Sequence, residues 1–133
     1  MPERTGMARE SARRFLVAVV DDDESVRESL PELLRESGYA AHAFASAQEL
    51  LDSGELIGIG CLILDITMPG MSGPELHDEL RRRGQAVPVV FITAVGDKAV
   101  RPRLLAEGAV DCLFKPFSET ALLAAIRAAQ RVP

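Results

Sequence analysis

The chain predicts an α/β fold in which a five-stranded parallel sheet is covered by helices on both faces. Two observations carry that expectation. Five apolar runs of strand length, at residues 15–20, 40–44, 61–64, 87–93 and 110–114, alternate with amphipathic helical patterns. The connections between them are short, which favours right-handed crossovers between parallel neighbours. A third feature concerns the edge of that sheet: two of the runs end in carboxylates, where a buried strand would emerge into solvent. The 133 residues suit a single domain, large enough to bury roughly two-thirds of its unfolded surface without a staple.

Taken in order, residues 1–14 are polar, charged and without periodicity, so they read as a disordered leader ahead of a domain at 15–131. After the first strand, Asp23 is placed to cap a helix in which Val26, Leu30, Leu33 and Leu34 fall on one face. Gly38 is placed to end it. Pro31 inside that helix removes one backbone bond, so a kink near residues 27–31 is expected. Ser46 with Glu49, and Ser72 with Glu75, have the spacing of capping boxes and mark the second and third helices. Pro102 falls in the fourth helix, where proline is tolerated only in the first turn, so that helix is expected to begin late or be distorted. Ser118 opens the fifth. Phe117 and Leu122 are spaced as its hydrophobic staple, and Leu122, Ala125, Ile126 and Ala129 form its buried stripe.

Composition excludes several classes of function. A net charge of −5 argues against a nucleic-acid surface, which needs clustered Lys and Arg to neutralise phosphates. The one compact basic run, Arg81 to Arg83, sits before Gly84 at a helix end, where cations favour the helix dipole, and reads as a solvated turn. Cys61 and Cys112 lie in apolar stretches and are too few and too unpatterned for a disulfide framework or zinc site; they read as buried thiols. His42 and His77 fall on outward positions and are given no role. No stretch approaches a membrane span of about 20 apolar residues and no signal peptide is seen, so the expected location is cytoplasmic, with no membrane partner.

The chemistry lies in the carboxylates. Asp21 and Asp22 close the run at 17–20, and Asp65 closes the run at 62–64. If those strands lie side by side, the acids meet at the carboxyl edge of the sheet, where open α/β sheets place their sites. Three carboxylates with no intervening cation repel one another, so their meeting asks for a hard divalent ion, Mg2+ or Mn2+. A carboxylate beside such an ion is poised to attack a phosphoryl group, because the ion offsets charge gathering on nucleophile and phosphoryl oxygens. Thr93 ends the fourth strand. Lys115, followed by Pro116, ends the fifth and brings a cation and a candidate cis peptide to the same edge. Ala94 leaves room for a phosphoryl group, and the turn-rich loop 68–74 frames the acceptor.

Together, VVDDD at 19–23, LILDITMPGMSGPEL at 62–76, VVFITA at 89–94 and LFKPF at 113–117 resemble the receiver domain of bacterial two-component response regulators, over about residues 15–129. The resemblance implies a flavodoxin-like, doubly wound fold with strand order 2-1-3-4-5 and five helices. It implies that Asp65 accepts a phosphoryl group from a sensor histidine kinase or phosphotransfer protein. Asp22 corresponds to the principal metal ligand, and Asp21 to an acid that usually holds metal-bound water. Asp65 and the backbone carbonyl of Thr67 complete the metal set. Thr93 and Lys115 correspond to the groups that grip phosphoryl oxygens, with Lys115 paired to Asp65 before phosphorylation. The module so implied is a timed switch, not an enzyme of substrate turnover, beyond slow autodephosphorylation.

Three positions depart from the family pattern. Cys112 stands three before the lysine, where Tyr or Phe is usual; a small thiol cannot signal by swinging inward, so the output change is expected from residues 93–97 and the following helix, with Phe114 on the same strand face. Pro102 bears on that helix directly. Thr67 lies on the approach of water or donor, and a dephosphorylation rate cannot be read from it. An aspartyl-phosphate phosphatase of the haloacid-dehalogenase type would need an acid at position 67, and a pseudo-receiver that only binds partners would not need intact acids and lysine. Leu123, Ala124 and Ala128, off the buried stripe of the last helix, suggest a homodimer through it.

Overall fold

The computed structural model describes residues 15–94 and 98–132, so the leader expected over 1–14 lies outside the described residues, as do 95–97 of the expected output segment. The elements run β1 (Leu16–Val20), α1 (Glu24–Glu36), β2 (Ala40–Phe44), α2 (Ala47–Asp52), a 3-10 turn (Leu56–Gly58), β3 (Cys61–Asp65), α3 (Gly73–Arg82), β4 (Val89–Thr93), α4 (Val100–Ala106), β5 (Asp111–Phe114) and α5 (Glu119–Gln130). All four strand pairings are parallel, in the order β2-β1-β3-β4-β5. β4 begins two residues later than its apolar run. Pro88 accepts from the Leu62 amide at 2.9 Å but has no N–H with which to continue the ladder.

Alternation along the central strands builds two cores. Ala18, Val20, Leu62, Leu64, Val89 and Phe91 face one side with Leu50, Leu76, Leu80 and Leu104. Val17, Val19, Cys61, Ile63, Val90 and Ile92 face the other with Leu30, Leu34, Leu122 and Ile126. Each fully buried Leu or Ile contributes about 1.5 to 3 kcal/mol of transfer free energy, so the strands hold the carboxyl edge from beneath. The caps fall where their spacing placed them. Ser46, Ser72 and Ser118 accept from the amides of Glu49, Glu75 and Ala121, and the reciprocal Glu75 bond is present at Ser72. Phe117 packs against the cluster that holds Leu122.

α1 runs as one helix across the buried Pro31. α4 begins at Val100, so Pro102 is its third residue, in the first turn, where its missing N–H leaves no intrahelical bond unmade. Both cysteines are buried, and burial pushes the Cys61 thiol up to about 12. His77 corrects an expectation: it is only 8% exposed, and its ring meets Phe91 edge-on at 5.8 Å. The reason is its place in the buried stripe Gly73, Leu76, His77 and Leu80, which follows the i, i+3, i+4, i+7 spacing of a docked face. Burial, then the charge of Arg81, hold its imidazole below the ordinary range. His42 is exposed as expected and pairs with Glu55.

Candidate functional site

β1 and β3 are neighbours in register, Val20 opposite Leu64, so Asp21 and Asp65 occupy the next level at the carboxyl edge. Asp65 is the last residue of β3 and lies opposite Ile92 of β4. The Asp21 amide donates to the Phe44 carbonyl at 3.1 Å, which carries the sheet's bonding one residue past β1. One carboxylate oxygen from each of Asp21, Asp22 and Asp65 can be chosen so that all lie within 4.8 Å of one another. Asp21 is wholly buried, Asp65 nearly so, and Asp22 is exposed, so the cluster opens to solvent on one side.

This donor set fits a hard divalent cation: every side-chain donor is a carboxylate oxygen, and among the described residues the acids outnumber the one ammonium, that of Lys115, that pairs with them. Its electrostatics show the deficit of positive charge. Burial, then the Asp21 charge, push the Asp65 carboxyl up to about 7, against the opposing pull of Lys115. Lys115 Nζ donates to Asp21 Oδ2 at 3.0 Å. Burial lowers the Lys115 ammonium, but the Asp21 hydrogen bond and the charges of Asp21, Asp65 and Asp23 together raise it above its ordinary value. The resemblance implied a Lys115 bond to Asp65; the structure gives it to Asp21. A fully buried carboxylate has the greater need of a partner, and Lys115 remains close enough to act on Asp65 through charge.

The remaining predicted residues lie along the same edge. Thr93 ends β4 opposite Phe114, and its carbonyl accepts from the Lys115 amide at 2.7 Å. The Lys115–Pro116 peptide is cis. Thr67 is exposed in the loop after β3, and Ala94 is exposed beside Thr93. Cys112 is buried among the residues packed under α4, whereas Phe114 is half-buried.

Two supporting residues were not singled out from sequence. A Cβ at Gly73 would stand 2.4 Å from the Asp65 carbonyl oxygen and 3.2 Å from the Phe91 ring, so only glycine lets the start of α3 back onto the end of β3. Arg27 Nη1 donates to the Asp21 carbonyl at 3.0 Å. Its only signal in the sequence is a cation six residues after an acid, one turn into a helix. Asp23 both donates its amide to Asp21 Oδ1 at 2.9 Å and caps α1 by accepting from the Ser25 amide at 2.9 Å.

Comparison with known proteins places this arrangement. The family model described as the response regulator receiver domain matches residues 17–127. The response regulator protein TodT of Pseudomonas putida F1 is 39% identical over 131 residues, 98% of this chain and 58% of its own. The transcriptional regulatory protein FixJ of Azorhizobium caulinodans is 45% identical over 112 residues, 84% of this chain and 53% of its own. The chain thus spans a little over half the length of these curated relatives. Among solved structures, FixJ-N is 35% identical with a TM-score of 0.78, covering 90% of this chain and 96% of its own. The response regulator StyR is 45% identical with a TM-score of 0.81, covering 89% and 60%.

Proposed function

Because the chain belongs to the family of response regulator receiver domains, modules of two-component signalling, we propose that Asp65 accepts a phosphoryl group from a partner's phosphohistidine and that the acylphosphate switches an output surface. The observation that carries this reading is the gathering of Asp21, Asp22 and Asp65 beside Lys115 at the carboxyl edge of the sheet. Asp21, Asp22, Asp65 and the Thr67 carbonyl are the groups that would hold Mg2+ or Mn2+. When bound, that ion supplies positive charge against the charge developing on the phosphoryl oxygens.

The chain's own groups perform the rest. An Asp65 carboxylate oxygen attacks phosphorus; the new O–P bond forms as the donor's N–P bond breaks, and the departing imidazole nitrogen keeps the electron pair and takes up a proton. Thr93 and Lys115 hold the transferred oxygens, which requires Lys115 to give up part of its contact with Asp21. Attack of water on phosphorus releases inorganic phosphate and restores the carboxylate, so the module turns itself off without being a turnover enzyme. Signal leaves through Thr93, the segment after it and α4, since Cys112 is buried and too small to swing.

FixJ is a transcriptional regulatory protein, and we extend that role to this chain as the phosphorylation-controlled part of a transcription regulator. No helix among the described residues is long and apolar enough to cross a membrane. A homodimer through α5 would use the exposed Ala124, with Leu123 and Ala128 at its margin; sedimentation with and without beryllofluoride tests it. The central test is incubation with acetyl phosphate and Mg2+. One acid-labile phosphoryl group per chain, located at Asp65 by mass spectrometry, is the expected result. Sustained phosphate release far above stoichiometry would instead indicate a phosphatase.

A further inference from the structure

We propose that Arg27 is a positioning residue that aims the Asp22 carboxylate at the cation site. The inference rests on the reading of Asp21, Asp22 and Asp65 as cation ligands and adds a residue outside that set. Asp22 is exposed, and no hydrogen bond or ion pair of its carboxylate is found among the described residues. With no partner of its own, the carboxylate turns about a Cα–Cβ bond whose direction is set by the two peptide groups that flank Asp22. Both are tied down. The peptide before Asp22 is held through its oxygen, the Asp21 carbonyl, which accepts from Arg27 Nη1 at 3.0 Å. The peptide after it is held through its N–H, which Asp23 donates to Asp21 Oδ1 at 2.9 Å.

These ties differ in kind. The Asp23 bond is local, two residues apart, and moves with the loop it stabilises. The Arg27 bond comes from a side chain six residues on, on a helix docked against the sheet by the buried Leu30 and Leu34. It therefore refers the peptide between the two acids to the rigid body of the domain, and the Asp21 amide anchors the same residue to Phe44 at 3.1 Å. Groups that orient ligands without touching the ion commonly carry a tenfold to hundredfold share of metal affinity.

Charge and position act in opposite directions here, which makes the inference testable by sign. The Arg27 guanidinium bonds the backbone of Asp21, one of the three acids, and as a charge so placed it repels an incoming cation; if Arg27 acted only as a charge, its removal would tighten Mg2+ binding. If it aims Asp22, removal weakens binding. The experiment is calorimetric titration of Mg2+ into the unphosphorylated protein, with Mn2+ paramagnetic resonance as a second probe. Arg27→Met, which keeps the apolar stem, is expected to weaken the dissociation constant on the order of tenfold and to shift the Asp21 carbonyl carbon resonance in metal-free protein. Arg27→Lys, which restores a donor, is expected to recover part of the affinity.

Affinity in Arg27→Met that is unchanged or tighter, or an Arg27→Lys protein that binds no better than Arg27→Met, overturns the proposal. If Arg27→Met fails to fold, Arg27→Gln, whose amide is too short to span the same gap, is read by the same sign. Wild-type protein that binds no Mg2+ would instead overturn the cation-site reading itself.

Discussion

The two faces of the sheet carry unequal helices. On one face lie α1 and α5, of 13 and 12 residues, which bury Leu30 and Leu34, and Leu122 and Ile126, against the strands. On the other lie α2, α3 and α4, of 6, 10 and 7 residues, and α4 buries only Leu104. Val100 packs half-buried against the same core, and the polar ties found among the described residues are exposed: Arg101 pairs with Asp111 at 2.8 Å, and Arg81 reaches the Glu107 carbonyl just past the helix. The candidate site draws on both faces, since Asp21 and Asp22 lead into α1 while Thr93 leads towards α4. Asp21 and Asp22 thus stand with the longer, more deeply packed helices, and Thr93 leads towards the helix that buries least.

The largest expected effect isolates the acceptor from both supports. Asp65→Asn removes the nucleophile, so labelling by acetyl phosphate with Mg2+ should fall to background by mass spectrometry. A variant that labels as wild type, at another carboxylate, would break the assignment of Asp65. Next come paired truncations in the two helices. Leu34→Ala should cost about 3 to 4 kcal/mol and Leu104→Ala about 2, both measured by denaturant unfolding. Hydrogen exchange should show the first loosening the whole domain and the second loosening α4 and its neighbours alone. Equal costs with equally global exchange would erase the distinction between the faces.

Much of this was legible in the residues. The apolar runs and the serine caps are legible locally, because strand propensity and capping spacing act over a few residues, whereas the meeting of the three acids follows from the pairing of β1 with β3. What escaped depends on contacts between elements. His77 has the spacing of the buried stripe of α3, but polarity argues for the surface, and it is the Phe91 ring, supplied by another element, that decides. The choice of Asp21 over Asp65 by Lys115 depends on which carboxylate the sheet buries more deeply, and the Arg27 bond depends on how α1 leans over the loop. Gly73 sits inside a legible motif, yet its reason is the Asp65 carbonyl behind it.

A smaller effect follows from the charge deficit on the cation side. The folded-state pKa of Asp65 lies above its ordinary value, at about 7, so folding favours the protonated carboxyl. The stabilisation is fully present below the unfolded value of about 3.9 and is lost as pH rises through about 7. After discounting for solvent screening at this half-open site, the expected loss is on the order of 1 to 2 kcal/mol. In EDTA, wild type should therefore lose stability relative to Asp65→Asn between pH 4 and 7, as read by thermal unfolding, and saturating Mg2+ should reverse the loss. If the two proteins run parallel across that range, the site is less strained than its geometry implies.

The smallest expected change concerns α4, and it separates stability from mobility. Arg101 and Asp111 form an exposed pair on that flank, and Asp111 Oδ1 also accepts from the Cys112 amide at 2.7 Å. Exposed pairs are worth about 0 to 1 kcal/mol, so Arg101→Gln should leave global unfolding almost unchanged. Because α4 has so little buried surface, the same small loss is a large share of what holds it. Exchange of the amides in α4 should therefore quicken severalfold while those of α1 and α5 do not change. Unaltered α4 exchange would mean that apolar packing through Leu104 and Val100 fixes the helix, and the contrast between the faces would then rest on packing without help from charge.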